Sequence, residues 1–243
     1  MIIPANVIAN ADDLGFNTSI NGAILHCFEK EYINSTSLMV NMGGFDEAVD
    51  IIARNNSVRN IGLHINLAEG KPVTDFNQPE YLDESGNWDF NNVNKKINIL
   101  SAGTRAAFSK EIYAQVDKAV SNKIQITHLD SHCHLHTLPC FYKLFLDAAK
   151  HYKLKIRLAQ TYNEGNYLNF YYRKYINNVF IASGCNYSNY FEDANHFFIN
   201  ANSDRNGKVV EIMLHPDYDS SGKLSDHFDI NGFSDWVNFL NRG

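Results

Sequence analysis

The chain has 243 residues, 44% hydrophobic and 20% charged, with a formal net charge of −6 at pH 7. Those values are ordinary for a soluble globular protein and suit one domain with a single large core. The acidic balance, with no basic stripe to offset it, argues against a nucleic-acid partner. Short apolar runs then alternate with helical patterns along the chain. Val7-Ile8-Ala9 reads as a strand, followed by a helix over Ser19–Glu31 for which Asn17, Thr18 and Ser19 are credible caps. A second strand is expected at Ser37–Asn41, a helix over Phe45–Arg54, and a third strand at Ile61–Leu67 with its apolar residues at odd numbers. The segment Lys71–Gly103, rich in Asn and turn residues, reads as a long excursion covering a substrate groove. A helix follows over about Ala107–Ser121, a strand near Ile124–Leu129, a helix at Phe141–Tyr152 and a strand at Lys155–Ala159. A helix within Tyr167–Ser183 and a last clear strand at Val209–Leu214 complete the pattern. Strand–helix alternation of this kind predicts an α/β fold with parallel strands. No linker or internal repeat divides residues 1–243, so one domain is expected.

Met1–Asn10 has neither the basic region nor the apolar run of a signal peptide. No stretch approaches the roughly 20 apolar residues of a membrane helix. Cys27, Cys133, Cys140 and Cys185 form no CxxC pair and read as free thiols of a reducing compartment. A cytoplasmic location with no membrane partner is the expectation.

Histidine placement carries the chemistry. Four of ten histidines fall between residues 128 and 136, in His128-Leu-Asp130-Ser-His132-Cys-His134-Leu-His136. In an extended chain the polar members at even numbers face one side, and Leu129, Ser131, Cys133 and Leu135 face the other. Imidazoles and a carboxylate on one face are costly to bury unless polar groups or a metal satisfy them. Residues i and i+4 on a strand lie roughly 13 Å apart, whereas metal–nitrogen bonds are about 2 Å. The remaining ligands of any ion must therefore come from other strands. Candidates stand at three strand ends: Asp12-Asp13 after Val7-Ile8-Ala9, His64 in Ile61–Leu67, and His215 before Pro216. Vicinal aspartates on an extended chain point to opposite sides and can take different roles. Functional groups of parallel α/β folds collect at the carboxyl ends of strands, and Asp and His suit a divalent cation.

The motifs at these positions are NADDLG at 10–15, GLHINLAEGKPV at 62–73, THLDSHCHLHTLP at 127–139 and EIMLHP at 211–216, with weaker agreement through YLDESGNWDF at 81–90. In that order and spacing the sequence resembles the YdjC/ChbG-type carbohydrate deacetylases, the chitooligosaccharide deacetylase family, over nearly its whole length. It departs from the family pattern at Leu14, where an aromatic residue is usual, and at Asp217-Tyr218, where glycine is usual. The resemblance implies a distorted (β/α) barrel of the glycoside hydrolase/deacetylase type. It implies one divalent ion, Mg2+ or Zn2+, held by Asp13, His64 and His132, with Asp12 as general base and His215 as general acid. It also implies that Arg157 contacts substrate, that the partner is a small carbohydrate, and that the protein forms a homo-oligomer.

On that reading the enzyme is a hydrolase of carbohydrate metabolism that removes an N-acetyl group from an amino sugar or chitooligosaccharide. Metal-bound water attacks the amide, Asp12 takes the water proton, and His215 protonates the departing nitrogen. Asp130, His128, His134 and His136 are expected to orient His132 from behind, and Trp88 to stack on the sugar. Two other classes fit part of the pattern. Two histidines and a carboxylate also form the non-haem iron triad, and a non-catalytic sugar-binding relative would keep the ligands alone.

Overall fold

Apolar runs of Val, Ile, Leu and Ala, buried on both faces, are the signature of strands inside a parallel sheet. The computed structural model, which describes residues 2–95, 99–163, 165–200, 205 and 207–242, places such strands at Val7–Leu14 (β1), Ser35–Leu38 (β2), Ile61–Ile65 (β3) and Ile126–Ser131 (β4). The short pair Lys155–Ile156 forms β5, Tyr190–Asp193 forms β6 and Val210–Leu214 forms β7. These seven associate in the order β5-β4-β3-β2-β1-β7-β6, and every neighbouring pair is parallel. The two sheet edges meet. Ile156 of β5 bridges Asn186 just ahead of β6, with Ile156 N donating to Cys185 O at 2.6 Å and Tyr187 N to Ile156 O at 2.9 Å. The expected distorted (β/α) barrel is therefore present, with its seam carried by this bridge. A two-stranded antiparallel ribbon, Pro216–Tyr218 (β8) and Leu224–Asp226 (β9), stands on the exit from β7.

The helices form where caps and periodicity coincide. Thr18–Glu29 (α1) starts at Asn17, whose side chain accepts from Ile20 N, and Phe45–Arg54 (α2) carries Asp46 and Glu47 in its first turn. After the short Phe90–Val93 helix (α3), Ala102–Ser121 (α4) begins earlier than the expected residue 107, because Ser101 caps Thr104 N. Tyr142–Tyr152 (α5) and Tyr167–Ala182 (α6) fall where expected. The sequence reading missed β6, Ala194–Ile199 (α7), the β8–β9 ribbon and Ile230–Arg242 (α8). The last is legible in retrospect, since Phe233, Trp236 and Leu240 are buried at helical spacing. Among the described residues no helix is long and apolar enough to cross a membrane.

Two expectations about local geometry change. The strand carrying the histidines ends at Ser131, and His132–Thr137 coil into a 3-10 turn in which Cys133 and His134 both have φ of 54°. The even-numbered residues beyond Ser131 thus share no strand face. The excursion after β3 also has a different role from the one expected. Its Val73 and Thr74 amides bond the buried Glu111 of α4, and Phe76, Tyr81 and Trp88 pack around Phe108 of the same helix. It stiffens one flank of the barrel. Residues 96–98 of it lie outside the described residues.

Candidate functional site

At the carboxyl ends of β1, β3, β4 and β7 the expected residues converge. In β1 the pairing with β2 slips between Ala11 and Leu14, and Asp13 adopts a left-handed φ of 71°. This slip defeats the strict alternation expected of adjacent aspartates, and both carboxylates reach one site. Asp13 Oδ1 lies 3.3 Å from His64 Nε2 and 3.1 Å from His132 Nδ1. All three side chains are buried. The turn at Cys133 and His134 follows His132 directly and lets it leave the strand line toward Asp13.

Behind His64 stands Asp130, its partner in the β3–β4 register, accepting from Nδ1 at 2.8 Å. Asp130 was expected to orient His132; the register gives it to His64 instead. A carboxylate on the far nitrogen fixes the ring so that Nε2 faces Asp13. His132 has its own carboxylate, Glu69 of the loop after β3, 3.5 Å from Nε2. Burial opposes protonation of His64, yet Asp130 and Asp12 outweigh it and raise its pKa to about 10. His132 is raised to about 12, its bond to Asp13 overcoming burial. The cluster is therefore an electron-rich pocket that holds positive charge.

Arg157 is the second surprise. Expected to touch substrate, it is fully buried beneath the site. Its Nη1 and Nη2 grip Asp12 at 2.6 and 2.7 Å, Nη2 lies 2.8 Å from Asp130 Oδ2, and Nε bonds Glu211 Oε1 at 2.7 Å. One guanidinium thus joins three buried carboxylates, a use that its rigid fork suits. Burial alone would raise the Asp12 pKa, but Arg157 overrides it and holds the carboxyl below the ordinary range. Asn10 Nδ2 also donates to Asp12 Oδ1 at 2.8 Å. Across from Asp12, His215 presents Nε2 at 3.9 Å from Oδ2, and burial lowers its pKa. Its backbone amide is anchored on Asp226 Oδ2 at 2.5 Å.

The other histidines do not orient His132. His128 lies against Tyr187 with ring centroids 3.9 Å apart and covers Gly62, where an added Cβ would collide with its ring. His136 bonds Ser131 Oγ at 2.8 Å and packs on Phe145. His134 packs edge-on to Phe191 and reaches the cleft wall. Burial lowers the pKa of His128 to about 4 and of His134 and His136 to about 3, so these rings are neutral. Trp88 also changes role. It is 4% exposed, its ring lies 4.7 Å from Phe76 and 6.0 Å from Phe108, and it has no face free for a sugar.

Asp12, His64, His132 and His215 line a cleft of about 530 Å³. Its outer wall comes from the C-terminal third, with Asp193, Asn195, Asp226, Phe228 and Asp229. Sequence reasoning passed over Glu69, Glu211, Asp226 and Phe228. A signal existed for two of them: Glu211 is an acid within an apolar strand, and Glu69 lies inside the GLHINLAEGKPV motif.

The donor set fits a divalent cation. Two ligands bonded at about 2.0–2.1 Å in tetrahedral geometry stand roughly 3.3 Å apart, and the Asp13–imidazole separations of 3.1 and 3.3 Å match that. Asp13, His64 and His132 each offer one ligand atom, all mutually within 4.8 Å. Arg157 contacts Asp12, Asp130 and Glu211 and leaves Asp13 to the two imidazoles.

A parallel α/β barrel with a buried Asp–His–His cluster at its carboxyl end, flanked by an arginine-held carboxylate and a facing histidine, defines the class of protein. The family follows from comparison: the chain belongs to the YdjC-like proteins, whose family model matches residues 6–235. A carbohydrate deacetylase of Clostridium beijerinckii is 30% identical over 220 residues, covering 90% of this chain and 84% of that protein. A carbohydrate deacetylase of Brevibacillus brevis is 28% identical over 217 residues, 87% and 81% of the two chains. Among solved structures, a protein of Enterococcus faecalis provisionally described as a cellobiose-phosphate cleavage protein superposes with a TM-score of 0.69 at 20% identity, over 88% of this chain and 82% of the other. That likeness supports the barrel fold.

Proposed function

We propose that this protein is a metal-dependent carbohydrate N-deacetylase, with Asp13, His64 and His132 holding the cation. The observation that carries this reading is the meeting of that ligand cluster with Asp12 and His215 at one cleft. The two relatives named carbohydrate deacetylases supply the substrate class. When bound, a divalent cation supplies an activated water and a polarised carbonyl.

This chain's own residues do the rest. Arg157 keeps Asp12 ionised, so that it can accept a proton, and fixes its plane toward the cleft. His215 presents its Nε2 3.9 Å from Asp12 Oδ2, so proton acceptor and proton donor border the same part of the cleft. A departing amine cannot leave as an anion, and His215 is the group placed to protonate it. Asp130 and Glu69 hold the two imidazoles in orientation from outside. A purely cation-binding or sugar-binding protein has no use for the Asp12–His215 pair, and an iron-dependent oxidation leaves Asp12 without a role.

The test is acetate release from N-acetylated amino sugars and chitooligosaccharides with magnesium or zinc, beside metal content, for three variants. Asp13→Asn should lose cation affinity. Asp12→Asn and His215→Ala should keep the cation and fold but lose on the order of 10²–10⁴-fold in turnover. Full turnover in Asp12→Asn, or metal lost from Asp12→Asn and kept by Asp13→Asn, would refute these roles.

A further inference from the structure

We infer that Asp12 takes up its proton on Oδ2 alone, and that Asn10 and Ser37 are positioning residues that keep the other oxygen occupied. This rests on the deacetylase reading and names the reacting atom within it. The two carboxylate oxygens stand in different surroundings. Oδ1 accepts from Arg157 Nη2 at 2.7 Å, from Asn10 Nδ2 at 2.8 Å and from Ser37 Oγ at 3.3 Å. Oδ2 accepts from Arg157 Nη1 at 2.6 Å and lies 3.9 Å from His215 Nε2. A carboxylate oxygen has about two acceptor sites. Three donors therefore fill Oδ1, and an acceptor site remains on Oδ2.

Asn10 and Ser37 make a closed set of bonds with Oδ1. One Asn10 N–H goes to Asp12 and the other to Ser37 Oγ at 3.1 Å, which leaves the Ser37 hydroxyl proton for Asp12 as well. Both residues are fully buried, and they come from the neighbouring strands β1 and β2. The amide is placed there at a cost, since Asn10 Oδ1 is buried without a hydrogen-bond partner among the described residues. An orphaned buried carbonyl is destabilising, so packing does not account for an amide here, whereas its donor end does. When water attacks, its oxygen bonds the acetyl carbon, the carbonyl electron pair moves to oxygen, and one water proton passes to Oδ2. The new O–H lies on the side of His215, which protonates the nitrogen as the C–N electron pair leaves with it. A proton arriving on Oδ1 would instead have to displace a buried donor.

The test is Asn10→Leu, which keeps the bulk of the side chain and removes its donors. Acetate release from a chitooligosaccharide with added zinc or magnesium is measured beside cation content and the urea midpoint. Turnover should fall roughly ten- to hundredfold in kcat, with KM within about twofold of wild type and cation content unchanged. Ser37→Ala, which loses the longest of the three bonds, should fall less, and Ser37→Thr should restore what it loses. The deciding arm repeats Asn10→Leu in Asp12→Asn protein. A residue acting through the Asp12 carboxylate costs nothing further there, whereas lost packing slows both backgrounds alike. Wild-type kcat in Asn10→Leu, or an equal loss in both backgrounds, overturns the inference. Should Asn10→Leu not fold, Ser37→Ala and Ser37→Thr carry the same cycle. If the wild type releases no acetate, the deacetylase reading fails, and the crystal structure of Asn10→Leu still decides the arrangement around Asp12. Its carboxylate should have turned, or Oδ1 should have gained a water. An unmoved carboxylate with only Arg157 and Ser37 on Oδ1 overturns the role given to Asn10.

Discussion

Arg157 bears on three carboxylates at once, and its loss should be felt in two measurements. Removing one partner of a buried charged network leaves the others desolvated and unpaired, at about 3–5 kcal/mol. Arg157→Leu is therefore expected to lower the urea midpoint severely. Arg157→Lys keeps one charge but cannot grip both Asp12 oxygens, so it should fold better yet lose turnover with cation content unchanged. A lysine variant with wild-type turnover would show that the bidentate hold on Asp12 is dispensable. Glu211, the third partner, gives a pH signature. Burial, against the pull of Arg157, raises its carboxyl from an ordinary 4.5 to about 7. The folded state thus binds that proton more tightly than the unfolded chain. Its contribution to stability falls as pH rises between those values. Glu211→Gln has no such titration, so the wild-type advantage over it should shrink from about pH 5 to about pH 8 in urea unfolding. A pH-independent difference would contradict the assignment.

At the scale of elements, the excursion after β3 acts as packing. Trp88 touches Phe76 and Phe108, and Glu111 of α4 takes the Val73 and Thr74 amides. Truncation of a buried tryptophan costs about 3–5 kcal/mol, so Trp88→Ala should lower the melting temperature by several degrees with KM nearly unchanged. A selective rise in KM at normal stability would instead return Trp88 to the substrate. The ribbon β8–β9 and helix α8, not the excursion, border the cleft. They carry Asp226 and Phe233 to the cleft, with Phe228 and Asp229 between them, and α8 is anchored by Trp236, whose indole donates to Tyr32 O at 2.8 Å.

For the molecule as a whole, the cation and the fold should be linked. The proposed ligands from β1, β3 and the turn after β4 come together only in the folded barrel, so on this proposal a cation binds the folded state selectively. At a hundredfold excess over Kd it should add about 2.7 kcal/mol of stability. Thermal unfolding with and without zinc or magnesium should show this in wild type and not in Asp13→Asn. An equal shift in both would place the cation elsewhere.

What the sequence determined by itself is what local pattern and chain direction govern. Apolar runs alternating with capped helices specified parallel strands, and parallel strands bring their carboxyl ends to one side. Asp12, Asp13, His64, His215 and the His128–His136 run could therefore be gathered toward one site from their positions, and the resemblance to the family motifs singled out His132 within that run. Partner choice across strands was decided by tertiary structure. Asp130 pairs with His64 through the β3–β4 register, across 66 residues, and Arg157 reaches Asp12 across 145. Whether an arginine faces substrate or lies beneath the site depends on which carboxylates surround it in space, and no local period encodes that. The same holds for aromatic residues. Trp88 and Phe228 are both large and apolar in sequence; the packing of the excursion on α4 buries the first, while the second, after β9, stays exposed at the cleft. The left-handed backbone at Asp13, Cys133 and His134 is also a tertiary outcome. None of the three is glycine, so local preference opposes that conformation, and the structure around the cluster holds it.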